Sequence, residues 1–259
     1  MSPFDLTGKI ALVTGAGEGI GNGCALELAK AGADIILNDR PGSPTLAAAA
    51  EEIRKLGRNS WAIEANVFER AGCEELISTG VKEAGRIDIL VSNPAFSQRG
   101  AFLEYDPELF EKTIQGTLTS GFHMSQLVAR HLVERKSPGK IILISSVHSV
   151  MPYQNSVAYN AAKSGLDHMA RTIAIELFEH KINVNTIQPG WTETPGEHRV
   201  FGSEFLREQG EKLPWKRLGT TSDIGMAAVW LASAASDYVT GDNIKVDGGL
   251  SRRIVEPIK

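Results

Sequence analysis

Tyr159 and Lys163 stand four residues apart in "VAYNAAKSG", residues 157–165, with Asn160, Ala161 and Ala162 between them. On a helix, positions i and i+4 share a face, so a phenol and an ammonium at this spacing address one small volume. A free phenol has a pKa near 10 and is a poor base at neutral pH. A positive charge about 5 Å away, at an effective dielectric of about 20, favours the phenolate by roughly 3 kcal/mol, or about two pKa units. The pair is therefore suited to moving a proton on and off a substrate oxygen. Alone it proves little: the chain has four tyrosines, and ordinary lysine usage gives about 0.2 chance matches. Ser146, thirteen residues before Tyr159, ends the apolar run "KIILISS" (140–146).

The elements that must position these groups follow from the apolar period. "KIALVT" (9–14), "DIILN" (34–38), "SWAIEAN" (60–66), "IDILVSN" (87–93), "KIILISS" (140–146), "INVNTIQ" (182–188) and "NIKVDGG" (243–249) read as seven short strands. Helical spacing predicts helices over 21–33, 45–57, 70–83, 107–135, 156–179 and 222–234. "PGWTETPGEHRVFG" (189–202) carries no clear period and reads as irregular. Strands that alternate with helices, and are near-continuous apolar runs, predict an α/β fold. Its sheet is doubly wound, mostly parallel and seven-stranded, with helices on both faces. No linker, repeat or low-complexity tract divides residues 1–259, so one domain is expected. In such sheets ligands bind outside the carboxyl ends of the strands, which is where Ser146 falls.

Composition narrows the function classes. The 259 residues are 42% hydrophobic and 22% charged, with a net charge of -4 and no long basic run. That argues against nucleic acid or anionic membranes as partners. No 18-residue apolar run and no signal-like N-terminus is present, so a cytoplasmic protein is expected. Cys24 and Cys73 are far apart and read as small buried hydrophobes. No His, Cys or Asp cluster has metal-ligand spacing, so no metal is expected.

A second constellation follows the first strand: "TGAGEGIG", residues 14–21. Ile20 stands where a literal G-x-G-x-x-G needs glycine, so the pattern is G-x-x-x-G-x-G at Gly15, Gly19 and Gly21. Glycines here allow a tight turn and close approach to a pyrophosphate, and the helix N-terminus that follows attracts anions. Asp39 ends the second strand, 18 residues after Gly21, placed to accept hydrogen bonds from adenosine ribose hydroxyls. Arg40 beside it could accommodate a 2′-phosphate, but Glu18 inside the loop opposes one. Two acids against one base favour NAD over NADP.

Together, "TGAGEGIG", "YNAAK", "NVNTIQPG" and the late "VDGG" resemble the short-chain dehydrogenase/reductase family, over about residues 8–250. The resemblance implies a Rossmann fold using NAD or NADP, usually a homo-oligomer and often a tetramer. It assigns Ser146 to hold the substrate oxygen, Tyr159 to act as acid/base, and Lys163 to support Tyr159 and bind the ribose. It places Asn66 and Val67 at the adenine, Asn93 at the ribose, and Pro189, Gly190, Thr192 and Thr194 along the nicotinamide side. Residues 195–215 should form a substrate lid.

Three positions depart from the family's pattern. Pro94 and Ala95 replace the usual text after Asn93, and Thr117 stands where an Asn is usual. The substrate side looks most like members described as glucose 1-dehydrogenases or 3-oxoacyl-carrier-protein reductases. His148, Gln154, His198 and Arg199 would give a polar pocket suited to a sugar or polyol. The reading is an oxidoreductase passing hydride between NAD and a secondary alcohol or ketone, a small molecule. Two alternatives stay open: a catalytically impaired NAD-binding sensor or scaffold, and an NADP-dependent 3-oxoacyl reductase.

Overall fold

The computed structural model describes residues 2–252. Its strands are β1 (Ile10–Val13), β2 (Asp34–Asp39), β3 (Ser60–Glu64), β4 (Ile89–Ser92), β5 (Gly139–Ile144), β6 (Ile182–Pro189) and β7 (Asn243–Val246). They form one sheet in the order β3-β2-β1-β4-β5-β6-β7. Every pairing is parallel, so the sheet is wholly rather than mostly parallel. The winding reverses between β1 and β4, which opens a crevice at their carboxyl ends.

Alternation along each strand feeds two cores. Ala11 and Val13 of β1 join a cluster with α1 (Gly19–Lys30), α2 (Leu46–Lys55) and α9 (Thr221–Ala232). Ile10 and Leu12 join the opposite cluster with α3 (Arg70–Ala84), α5 (Ser120–Glu134) and α6 (Val157–Glu176). Buried on both faces, the strands are continuous apolar runs. Deleting one such side chain, Leu12→Ala for example, costs about 3 kcal/mol. Cys24 and Cys73 are free and buried in these cores.

The helix expected over 107–135 runs from 107 to 134 but contains a π-helical turn. α4 (Pro107–Ile114) is followed by a π-helical turn, Gln115–Thr119, and then α5. Gly116 packs against the Phe68 ring, where a Cβ would come within 2.9 Å. Thr117 turns its hydroxyl out to the backbone of Phe96. Apolar spacing runs on through the turn, which hides it from a period count.

The stretch expected to be irregular, 189–202, holds the helix α7 (Pro195–Phe201), and α8 (Ser203–Lys212) follows it directly. Thr194 caps α7 by accepting the Glu197 N–H, with Pro195 at the first position. The ends of this excursion are tied together. Thr192 pairs with Gly219 in a parallel bridge, and the Gly219 N–H donates to the Trp191 carbonyl at 2.9 Å. β5 ends at Ile144, two residues before Ser146. The resemblance also leaves open a role in subunit contacts for the tail "SRRIVEPIK" (251–259), most of which, 253–259, lies outside the described residues.

Candidate active site

A cleft of about 1450 Å³ lies over the carboxyl ends of β1, β2, β4, β5 and β6. Pockets for single small ligands commonly hold about 300–1,000 Å³, so this one has room for a dinucleotide and a second molecule. The glycine loop forms its floor between β1 and α1. Gly15 (φ +60) and Gly19 (φ +64) take left-handed conformations that side chains resist. A Cβ on Gly21 would fall 2.1 Å from the Gly15 carbonyl oxygen, so Gly21 closes the loop from beneath. Gly15, Gly19 and Ile20 line the cleft and Gly21 does not. The N–H groups opening α1 lack helical partners and favour an anion there.

Asp39 lines the far end. Its Oδ1 accepts the Arg40 N–H and its Oδ2 accepts the Ser43 hydroxyl, both at 2.8 Å. A Cβ on Gly17 would meet Asp39 Oδ2 at 2.2 Å, so the carboxylate stands hard against the loop. Asn66 and Val67 follow β3 on the same wall, and Asn93 follows β4. Asn93 donates its N–H to Thr14 Oγ1 at 3.0 Å and its side-chain amide to the Gly15 carbonyl at 3.3 Å.

Glu18 is not a free acid of the loop. Arg199 grips both its oxygens, with Nη1 3.0 Å from Oε2 and Nη2 on Oε1. That pairing holds the Glu18 carboxyl below its usual range. The charge counted from sequence against a 2′-phosphate is thus matched by Arg199.

Ser146, Tyr159 and Lys163 all open on the cleft. Ser146 precedes a short 3-10 turn, Val147–Ser149, and its hydroxyl accepts the His148 N–H at 3.2 Å. The Lys163 ammonium lies 5.4 Å from the centre of the Tyr159 ring and donates to the Ile144 carbonyl at 2.6 Å. Lys163 is only 1% exposed. Burial pulls it down to about 8, with Asp167 acting in the opposite sense. Burial pushes the Tyr159 phenol up to about 12, while the Ser146 hydroxyl lowers it. The sequence led to a phenol brought down by its lysine. In the folded protein the desolvation of the phenolate outweighs that attraction.

His148 stacks on Tyr153, ring centres 4.0 Å apart, and meets Tyr159 edge-on at 5.3 Å. Its Nδ1 is 2.8 Å from the Asn160 side-chain oxygen. The Asn160 amide nitrogen donates to the Tyr153 carbonyl, so the oxygen faces the imidazole. This arrangement assigns the ring proton to Nδ1 and leaves Nε2 an acceptor. Burial keeps His148 below the ordinary imidazole pKa, hence neutral.

Comparisons with known proteins give the family. A family described as Enoyl-(Acyl carrier protein) reductase matches residues 15–251. The 2-dehydro-3-deoxy-D-gluconate 5-dehydrogenase of Escherichia coli is 38% identical over 96% of this chain and 98% of its own. A short-chain type dehydrogenase/reductase from Mycobacterium marinum superposes with a TM-score of 0.91 at 32% identity, covering 96% of this chain and 98% of its own. The chain belongs to the short-chain dehydrogenase/reductase family. It is an oxidoreductase of alcohol and keto groups, in a family that uses nicotinamide dinucleotides. Solved relatives include complexes with NADP and with NADH.

Within this dehydrogenase/reductase, Pro189, Gly190, Thr192 and Thr194 line the cleft beside β6. Thr192 donates to the Gly190 carbonyl at 3.2 Å, and Thr194 is occupied as the cap of α7. Three residues expected to face the substrate do not line the cleft. Gln154 is exposed on the turn before α6. His198 is held by Glu193 and Ser203, and Arg199 by Glu18. Helix α7 turns those two side chains outward and presents Glu197, Val200 and Phe201 instead.

Sequence reading missed Arg99 and Tyr153, which line the cleft, and the Trp191–Phe201–Phe205 cluster under α7 and α8. The run Thr194-Pro195-Gly196-Glu197 is a helix-start signal that could have revealed the helix carrying Phe201. Arg99 sits in a loop with no periodic signal, and among the described residues it makes no ion pair. At the family's usual Asn position, Thr117 donates to the Phe96 carbonyl at 2.9 Å and accepts the Phe96 N–H at 3.1 Å. Its hydroxyl is fully engaged in clamping the loop after β4.

Proposed function

We propose that this enzyme passes hydride between NAD and a secondary alcohol or ketone on a polyhydroxy acid or polyol, with Tyr159 exchanging the hydroxyl proton. The observation that carries this reading is the opening of Ser146, Tyr159 and Lys163 onto one cleft with the glycine loop. The fit of a dinucleotide is supported by the close-packed glycines, the unpartnered start of α1 and the preset Asp39 carboxylate. Gly15, Gly19 and Ile20 would hold the pyrophosphate, Asp39 the adenosine ribose, and Asn66 and Val67 the adenine. Asn93 and Lys163 would hold the second ribose, and Pro189 to Thr194 the nicotinamide amide. When bound, the oxidised nicotinamide supplies the hydride acceptor and a positive charge beside the phenol.

In oxidation the substrate C–H leaves with its electron pair as hydride. Ser146 donates a hydrogen bond to the substrate oxygen, and the Tyr159 phenolate takes the hydroxyl proton as the carbonyl forms. In reduction the Tyr159 phenol returns that proton to the oxygen. The Lys163 ammonium, 5.4 Å from the centre of the Tyr159 ring, would favour the phenolate through its field. Arg99 and the neutral His148 support a substrate bearing a carboxylate and hydroxyl donors. Relatives acting on gluconate derivatives support the same class. α7 and α8 serve as the lid, and the homotetramer implied by the family is supported by exposed Phe110 and Phe122.

One observation favours an NADP reading instead: Arg40 is exposed beside Asp39, and Glu18 is matched by Arg199. The test is absorbance at 340 nm with either cofactor over a panel of sugar acids, polyols and secondary alcohols. Turnover with NAD that disappears in Tyr159→Phe is expected. Turnover retained by Tyr159→Phe would sink the proton assignment, and preference for NADP would sink the cofactor assignment.

A further inference from the structure

Beneath the catalytic helix lies a buried polar cluster that the family motif does not use. Asp167 stands one helical turn beyond Lys163 on the same face of α6. Both are buried, Asp167 at 4% exposure. They do not form an ion pair, since the Lys163 ammonium donates to the Ile144 carbonyl. Asp167 Oδ2 instead accepts the side-chain amide of Gln188 on β6 at 2.6 Å. The same amide nitrogen donates to Ser149 Oγ at 2.9 Å, and that hydroxyl donates to the Ser146 carbonyl at 2.8 Å. Asp167 Oδ1 and Gln188 Oε1 have no hydrogen-bond partner among the described residues. The amide orientation is nevertheless fixed, because the flipped form would set Oε1 against the carboxylate.

A carboxyl buried with one hydrogen bond is an expensive group to keep. We propose that Asp167, anchored by Gln188, is a positioning residue for the proton transfer: its charge keeps Lys163 an ammonium in dry surroundings and ties it to the Ser146 turn. This rests on the acid/base reading of Tyr159. Burial draws Lys163 down to about 8, and the Asp167 charge opposes that fall. Among the described residues, the other titratable or charged groups lining the cleft are Tyr159 on α6, His148 and Tyr153 after β5, Arg99 on the loop after β4, Glu197 on α7 and, at the cofactor end, Glu18, Asp39 and Arg40. β6 contributes the neutral Gln188. Burial keeps His148 uncharged at neutral pH, Arg99 acts on His148, and Glu197 acts on Tyr159.

The signs follow directly. Removing the Asp167 charge makes the ammonium harder to keep, so Lys163 titrates at lower pH. A weaker ammonium supports the phenolate less, so the acid limb of the oxidation rate moves to higher pH. The test uses the full chain with lysine labelled at Cε, the Lys163 resonance being identified by its absence in Lys163→Met. In Asp167→Asn, a near-isosteric change, the Lys163 midpoint should fall by about one pH unit. The acid limb of kcat/KM should rise by a similar amount, and Asp167→Glu should restore both in part. Gln188→Met, which keeps the charge but removes its anchor, should shift both in the same direction to a smaller extent. An unmoved Lys163 midpoint with kcat lowered evenly across pH would overturn the proposal and leave Asp167 a packing residue. If Tyr159→Phe keeps full turnover, the acid/base reading fails on its own, while the Lys163 midpoint still decides the coupling.

Discussion

Asp39→Asn isolates the charge that should select the cofactor. The replacement keeps the oxygen that accepts the Arg40 N–H, and its amide nitrogen can donate to the Ser43 hydroxyl once that hydroxyl rotates, so the end of β2 need not move. What it removes is one negative charge at the adenosine end of the cleft. A 2′-phosphate carries about two negative charges, and a carboxylate about 6 Å away at an effective dielectric of about 40 repels each by roughly 1.4 kcal/mol. The exposed Arg40 and screening by salt offset part of that total, leaving about 2 kcal/mol. The ratio of kcat/KM with NADP to that with NAD should therefore rise about 30-fold in the variant. The assay is initial rates at 340 nm with both cofactors at matched ionic strength. Raising the salt should shrink the wild-type preference and leave the variant nearly unchanged. A ratio that moves less than about threefold would refute the electrostatic argument, since Coulomb repulsion of this size has to appear in the ratio.

Four further outcomes follow from the packing. Gly21→Ala drives a methyl group into the Gly15 carbonyl, so cofactor affinity should fall at least about tenfold in a fluorescence titration, with a lowered Tm. Thr117→Val strips the Phe96 peptide of both its side-chain partners and should cost about 2 kcal/mol in urea unfolding, with a raised substrate KM. Arg199→Met frees Glu18, and stopped-flow release of NADH should quicken about threefold at low salt, a difference that fades at about 1 M salt. His148, held neutral by burial, should titrate below about 6.5 by NMR, so substrate KM should stay flat from neutrality upward and rise only in acid.

The central strands β1, β4 and β5 were legible because they are buried on both faces and spell that burial as apolar runs. The edge strands β3 and β7 are only partly covered and were legible from their β-branched and aromatic residues and their place in the alternation. The Tyr159–Lys163 pair and the glycine loop were legible because their geometry is local, set within a turn or two of backbone. The π-helical turn at Gln115–Thr119 was not, since its cause is the Phe68 ring and the Phe96 peptide, both distant in sequence. The partner of Glu18 lies 181 residues away, so the chain read linearly counted one unopposed acid too many. The Tyr159 phenol was misjudged for a related reason: spacing reports which charges are near, and only the fold reports how dry their surroundings are. Arg199 and His198 were assigned to the substrate by their chemistry, but the rotation of a seven-residue helix decided which way they point.

The bridge between Thr192 and Gly219 has a consequence for how this enzyme can be altered. It gathers the two ends of the α7–α8 excursion into a single stem, leaving β6 and α9 on either side undisturbed. Changes of length between the two ends need not shift either flank, because the stem holds their registry. Two residues inside the segment nevertheless tie it back to the glycine loop: Thr194 lies against Gly19, and Arg199 grips Glu18. Variation that alters the substrate side of the cleft while sparing the loop therefore falls on the positions between and beyond those two.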